Sequence, residues 1–164
     1  MKRAAMAGYP QGFQSLLWLT LATMLLSGSW LLPLTLQMRL GLELPAFTVT
    51  AHRALAATIH GSAAFALLML LGALAAVHMR AGLQRQQLRT TGLLLLAAML
   101  ALIVSALVLY YSGHEQLSAV ASVTHVLSAA ATTVLLIIHA VAGRQLHAPR
   151  PQGRTWPVPR TTYL

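Results

Sequence analysis

ALAATIHGSAAFALLMLLGALAAV, residues 54 to 77, runs for 24 positions without a charged side chain, and its one strongly polar interruption is His60. About 20 predominantly apolar residues carry an α-helix across the hydrocarbon core of a bilayer, so this stretch predicts a membrane span. An imidazole in such a span is expensive to hold, and intramembrane ionisable groups default to a functional reading. Three further runs share the pattern. Phe13 to Leu36 and Thr90 to Tyr111 hold no charged residue, and Leu117 to Ala142 is interrupted by His125 and His139. The predicted spans are therefore 13–36, 54–77, 90–111 and 117–142. Lys2 and Arg3 ahead of the first run resemble the start of a secretory signal. The run is too long for a signal core and no A-x-A-like cleavage site follows, so it reads as a retained helix.

Composition agrees with the bilayer. The chain is 57% hydrophobic and 8% charged, outside the range of soluble globular domains. Glu43 and Glu115 are the only acids against eleven Lys and Arg, giving a formal charge of +9. Nucleic-acid binding would need a basic face on a water-soluble domain, whereas these cations lie between apolar runs, so nucleic acid is set aside as a partner. With no cysteine, disulfides, thiolate zinc sites, iron–sulfur clusters and covalently attached haem c are excluded. Histidine is left as the obvious metal ligand.

The connections are short, which places sequential helices side by side and antiparallel. The expected fold is all-α: an integral membrane four-helix bundle, up-down-up-down, over residues 13–142. Lys2, Arg3, Arg80, Arg85, Arg89, Arg144, Arg150, Arg154 and Arg160 then fall on one side, with only Arg39 and Arg53 on the other. By the positive-inside rule both termini are cytoplasmic. Residues 1–12 form a short cytoplasmic segment, 37–53 an outer loop containing Pro45, and 143–164 a basic, Pro-rich cytoplasmic tail. Such a tail has too few apolar residues for a core and suits anionic lipid headgroups.

Four histidines form a constellation. His60 and His78 are 18 residues apart on the second span, which is five whole turns and roughly 27 Å of helix. His125 and His139 are 14 apart on the fourth, roughly 21 Å of rise and some 40° short of whole turns. Helices two and four run in the same direction, so His60 meets His125 near the outer surface and His78 meets His139 near the inner one. Six-coordinate haem iron takes such facing imidazoles as axial ligands, with the porphyrin edgewise between the helices. Two haems b are the expected cofactors. Gly61 beside His60, Gly72 before His78, Ser128 and Ala129 after His125 and Gly143 after His139 leave room, though small residues also serve plain helix packing. The unequal spacings require a tilt or kink. His52, beside Arg53 at a helix entrance, is the alternative to His60; His114 and His147 read as solvated. Trp18, Trp30, Tyr110 and Tyr111 lie near span ends, where amphipathic rings prefer the interface.

The series His60-Gly61, Leu71-Gly72, His78, Leu109-Tyr110-Tyr111 with Glu115, His125, and His139 with Gly143-Arg144 resembles the small four-helix di-haem b-type cytochromes. These include bacterial cytochrome b-561-like proteins, the cytochrome b subunits of nickel hydrogenases and a related uncharacterised domain family. The resemblance covers residues 54–144. It implies two haems b ligated by His60, His78, His125 and His139, and electron transfer with quinone or a redox partner subunit across the bacterial inner membrane. Two departures stand out. Helix one has no histidine, although many relatives ligate a haem from it, and Ser128 stands where glycine often follows the helix-four ligand.

An electron carrier or redox subunit is thus expected rather than a self-contained enzyme, as a homodimer or within a larger complex. The alternative is a cofactor-free structural or assembly subunit whose histidines pack between helices. A transporter fits poorly, because the four apolar runs lack Asp, Glu, Lys and Arg. Reporter fusions test the orientation: GFP after residue 164 is expected to fluoresce and alkaline phosphatase within 37–53 to be active, and the opposite pattern would invert the topology.

Overall fold

A computed structural model describes residues 9–41 and 50–146, and every regular element among them is helical. Helix α1 spans Phe13–Leu40 and α2 spans Thr50–Leu74. The second rod continues through a π-helical turn, Ala75–Met79, into α3, Arg80–Arg85. Helix α4 spans Arg89–Tyr111 and α5 spans Glu115–Leu146. Water-free hydrocarbon has no partners for backbone N–H and C=O groups, and helices satisfy them internally. Four helices, Phe13–Arg39, His52–Gln84, Arg89–Tyr111 and Glu115–Leu146, are long and apolar enough to cross a membrane, as a multi-pass membrane protein requires. The second and fourth extend beyond the uncharged runs, taking in Arg80, Gln84 and Arg144, because a helix can continue into the interface once its apolar centre is placed. Part of the segment 37–53, with Pro45, and most of the basic tail, with His147, lie outside the described residues.

Local chemistry sets the helix ends. Gly12 and Gly41 flank α1 with φ of 91° and 64°, the left-handed region that glycine enters without steric cost, and the Gly41 N–H closes the helix on the Gln37 carbonyl. Glu115 lies in the first turn of α5 and Arg144 in its last, each matching the sign of the helix dipole there. Between α3 and α4 the link is only three residues, and Gln86 and Leu88 both take φ of 53° to turn it. The Leu88 carbonyl accepts the Gly92 N–H at 2.9 Å and the Thr91 hydroxyl at 3.1 Å, so this strained residue caps the start of α4. Its side chain packs toward α5, where a Cβ at Gly143 would lie 3.7 Å from Leu88 Cδ1.

Close backbone packing joins α1 to α2, α4 to α5 and α1 to α5; α2 and α5 are not among the closely packed pairs. The buried apolar residues are few and mostly small: Ala56, Ala63, Leu70, Met99 and Ala121. Large apolar side chains face outward instead, with Leu26 72%, Phe65 70% and Met69 77% exposed. In water such faces would drive association, whereas acyl chains solvate them. Met69 lies near the middle of the His52–Gln84 span. Met69→Lys is expected to raise the apparent insertion free energy by about 2.5–3.5 kcal/mol, measured in a translocon insertion assay on the isolated segment. An unchanged insertion efficiency would show that Met69 does not lie near the bilayer centre of this span.

Candidate functional site

His60 on α2 and His125 on α5 bring their ring centroids to 6.3 Å with an interplanar angle of 71°. His78, in the π turn, and His139 on α5 lie 6.0 Å apart at 76°. Along the second rod His60 precedes His78, and along α5 their partners His125 and His139 come in the same order, so these two helices run in the same direction. His52 is exposed near the start of α2, in neither pair; His114 is exposed in the link between α4 and α5.

Three of the four rings are held from a neighbouring helix. Ser27 Oγ of α1 lies 3.0 Å from His60 Nδ1. Ser105 Oγ of α4 lies 3.0 Å from His125 Nδ1, and Thr91 Oγ1, also of α4, lies 3.0 Å from His139 Nδ1. Glycine follows two of these hydroxyls in sequence. A Cβ on Gly28 would come to 3.1 Å from His60 Cε1, and one on Gly92 to 3.6 Å from His139 Cε1. Each hydroxyl thus grips a ring nitrogen while the adjacent missing side chain lets the ring lie close to the helix. Sequence reasoning missed Ser27, Thr91, Ser105 and both glycines. Ser-Gly and Thr-Gly dipeptides within a span read equally well as packing residues, so nothing in the sequence singles these positions out.

His78 is braced through its backbone. In a π turn hydrogen bonds run from i to i+5, and the turn takes up an extra residue without a full residue's worth of rise and rotation. Because it begins before His78 and includes it, it absorbs part of the mismatch between the 18- and 14-residue spacings, and it removes the strict five-turn register expected for an unbroken α-helix. The Tyr9 hydroxyl accepts the His78 N–H at 3.1 Å and lies 3.5 Å from the Ala73 carbonyl. Tyr9 is itself fixed by stacking on Phe13, with centroids 4.3 Å apart. The residues just before α1 therefore reach the backbone at the second imidazole pair.

Two further residues border the pairs. Gly61, next to His60, sits under the Tyr110 hydroxyl, which would be 3.1 Å from a Cβ there. Thr132 is seven residues from both His125 and His139, so it shares their side of α5 midway between the pairs. It is only 7% exposed, and its hydroxyl is the one buried side-chain oxygen among the described residues without a partner. No cluster of three or more His, Cys, Asp or Glu able to hold a bare metal ion occurs among the described residues. Each site offers two protein ligands, which suits a metal whose other positions are filled by its own macrocycle. An imidazole nitrogen sits roughly 2 Å from a bound transition metal and about 1 Å from its ring centroid, so two imidazoles on opposite sides of one metal have centroids about 6 Å apart. Both pairs stand at that separation.

Comparison with protein-family models, with curated proteins and with solved structures finds no match.

Glycine substitutions probe the ring seats directly. Gly28→Val inserts carbon where the His60 ring lies and is expected to destabilise the folded protein by about 1–3 kcal/mol in detergent. Nothing lies within 4 Å of a Cβ at Gly72. Gly72→Ala is therefore expected to be neutral or stabilising by up to about 1 kcal/mol. Equal effects in thermal unfolding would show that the Gly28 seat does not constrain the ring.

Proposed function

We propose that this chain is a membrane electron carrier that holds two b-type haems between α2 and α5. His60 and His125 would hold one haem, and His78 and His139 the other. The carrying observation is the geometry of the two imidazole pairs, at 6.3 and 6.0 Å. Bound haem supplies a one-electron couple between ferrous and ferric iron. The chain's own contribution is ligation, orientation and a low-dielectric setting. The absence of close backbone packing between α2 and α5 supports the reading, because a macrocycle needs width between the helices that ligate it. So do the hydrogen bonds to Nδ1 of three rings, since metal-binding histidines characteristically tie down the nitrogen that does not face the metal.

The same reading takes the four spans as an up-down-up-down bundle with cytoplasmic termini in the bacterial inner membrane. It makes the chain a relative of the small di-haem b-type cytochromes. The pairs lie near opposite faces of the membrane, so electrons would pass between a redox partner subunit on one side and quinone or another carrier on the other. His52 stays outside this assignment, because the ring that faces His125 is that of His60.

A second reading, a cofactor-free structural subunit, draws on the same ring pairs. Centroids at 4.5–7 Å and steep interplanar angles also describe edge-to-face packing of two rings. Visible spectroscopy of the purified protein separates the two. Reduced-minus-oxidised bands of haem b are expected, and their absence leaves the structural reading. Haem content per variant tests the pairing: His60→Ala and His125→Ala are expected to remove one and the same haem, His78→Ala and His139→Ala the other. Retention of both haems by His60→Ala together with loss of one by His52→Ala would reassign the outer ligand.

A further inference from the structure

A hydroxyl has one hydrogen to give, and at all three ring seats a nearby main-chain carbonyl stands ready to accept it. Ser27 Oγ donates to the Thr23 carbonyl at 2.6 Å, one turn back along α1. Ser105 Oγ donates to the Leu102 carbonyl at 3.0 Å, and Thr91 Oγ1 to the Leu88 carbonyl at 3.1 Å. Such back-bonding is the usual behaviour of Ser and Thr inside a helix. With that hydrogen on the carbonyl, the oxygen meets an imidazole nitrogen as an acceptor and the nitrogen brings the hydrogen. The nitrogen 3.0 Å away is Nδ1 in every case. In a neutral imidazole a proton on Nδ1 leaves Nε2 with the bare lone pair.

We infer that Ser27, Ser105 and Thr91 are positioning residues that fix His60, His125 and His139 as Nδ1–H tautomers. Nε2, across the ring from the hydroxyl, is thereby the nitrogen presented for iron. Each seat is a three-part chain in which the imidazole N–H donates to a hydroxyl oxygen and the hydroxyl hydrogen donates to a backbone carbonyl. A main-chain carbonyl anchors each hydroxyl, within α1 or α4 for the serines and at the Leu88 cap of α4 for Thr91. An acceptor on Nδ1–H also makes the imidazole a stronger electron donor through Nε2, which favours the ferric state and lowers the midpoint potential. This role rests on the two-haem reading above, and it divides the two sites. Both ligands of the His60–His125 pair have hydroxyl seats, whereas in the His78–His139 pair the hydroxyl seat is at His139 and His78 is braced by Tyr9 through its main chain.

Redox titration of the full-length protein in detergent, followed by its visible spectrum, tests the inference. Ser27→Ala and Ser105→Ala are expected to raise the midpoint of the same haem, and Thr91→Ala that of the other. The expected size is roughly a tenfold change in the oxidised-to-reduced ratio at fixed potential, about 59 mV for one electron. Ser105→Thr and Thr91→Ser, which keep the hydroxyl, are expected to retain the wild-type midpoints. If hydroxyl-free and hydroxyl-retaining variants behave alike, whether both keep wild-type potentials or both lose haem, the inference is overturned. Nitrogen-15 spectra of the histidine-labelled apoprotein give a readout independent of the cofactor. Protonated Nδ1 is expected at His60, His125 and His139, and protonated Nε2 with bare Nδ1 there overturns the tautomer assignment. A wild-type protein that binds no haem defeats the electron-carrier reading instead, and the nitrogen-15 result still decides the tautomers.

Discussion

Hydrocarbon does not tolerate a polar group without a partner, and nearly every feature of this chain follows from that. The transfer penalty for an unpaired amide or hydroxyl is several kcal/mol, large against the net stability of a small domain. It closes the backbone into helices. It also sets three of the four paired imidazoles, His60, His125 and His139, against a hydroxyl oxygen of a neighbouring helix. Intramembrane hydroxyls are subject to the same rule, and Ser27, Ser105 and Thr91 meet it with a carbonyl of their own helix on one side and an imidazole on the other. Thr132, buried midway between the ring pairs with its oxygen unpaired, is the exception, and it sits where the proposed function requires most space.

The helices were legible in the sequence because span length and charge exclusion are one-dimensional properties. A run such as Ala54 to Val77 needs no tertiary information to be read. The meeting of His60 with His125 and of His78 with His139 was also within reach, since the period of an α-helix converts a spacing of 14 or 18 into a face and a depth. The arithmetic assumed unbroken α-helix. The π turn at Ala75–Met79 broke that assumption at one of the four histidines, and no residue in Ala-Ala-Val-His-Met announces such a turn. The supporting shell was not legible. A Ser or Thr in a membrane helix ordinarily bonds its own backbone and leaves no trace of a second partner. Which hydroxyl comes level with which ring depends on how α1 sits on α2 and α4 on α5. Gly28 and Gly92 were hidden for the same reason, because a glycine in a span reads as a packing residue until the ring above it is seen.

The link between α3 and α4 connects local backbone conformation to the site. Leu88 takes a left-handed conformation that a branched, bulky residue adopts at a cost, and its carbonyl receives the same Thr91 hydroxyl that holds His139. Its side chain meets α5 at Gly143, one turn beyond His139. The turn, the helix cap and the ring seat are therefore one mechanical unit. At the opposite end the link from α4 to α5 ends in a hydrogen-bonded start to α5, with the Ser118 N–H on the His114 carbonyl, ahead of the turn that carries His125.

The thin core has a thermodynamic corollary. Small residues make up much of what is buried, and none of the large side chains among the described residues is fully shielded, so α2 and α5 draw little cohesion from each other. A macrocycle bridging them would replace the missing contacts and bind the folded chain in preference to the unfolded one, and by mass action each such occupant deepens the native well as its concentration rises above its dissociation constant. Folding of this chain would then be metabolically gated, with abundance in the membrane following the supply of the occupant and quality-control proteolysis removing chains that never receive it.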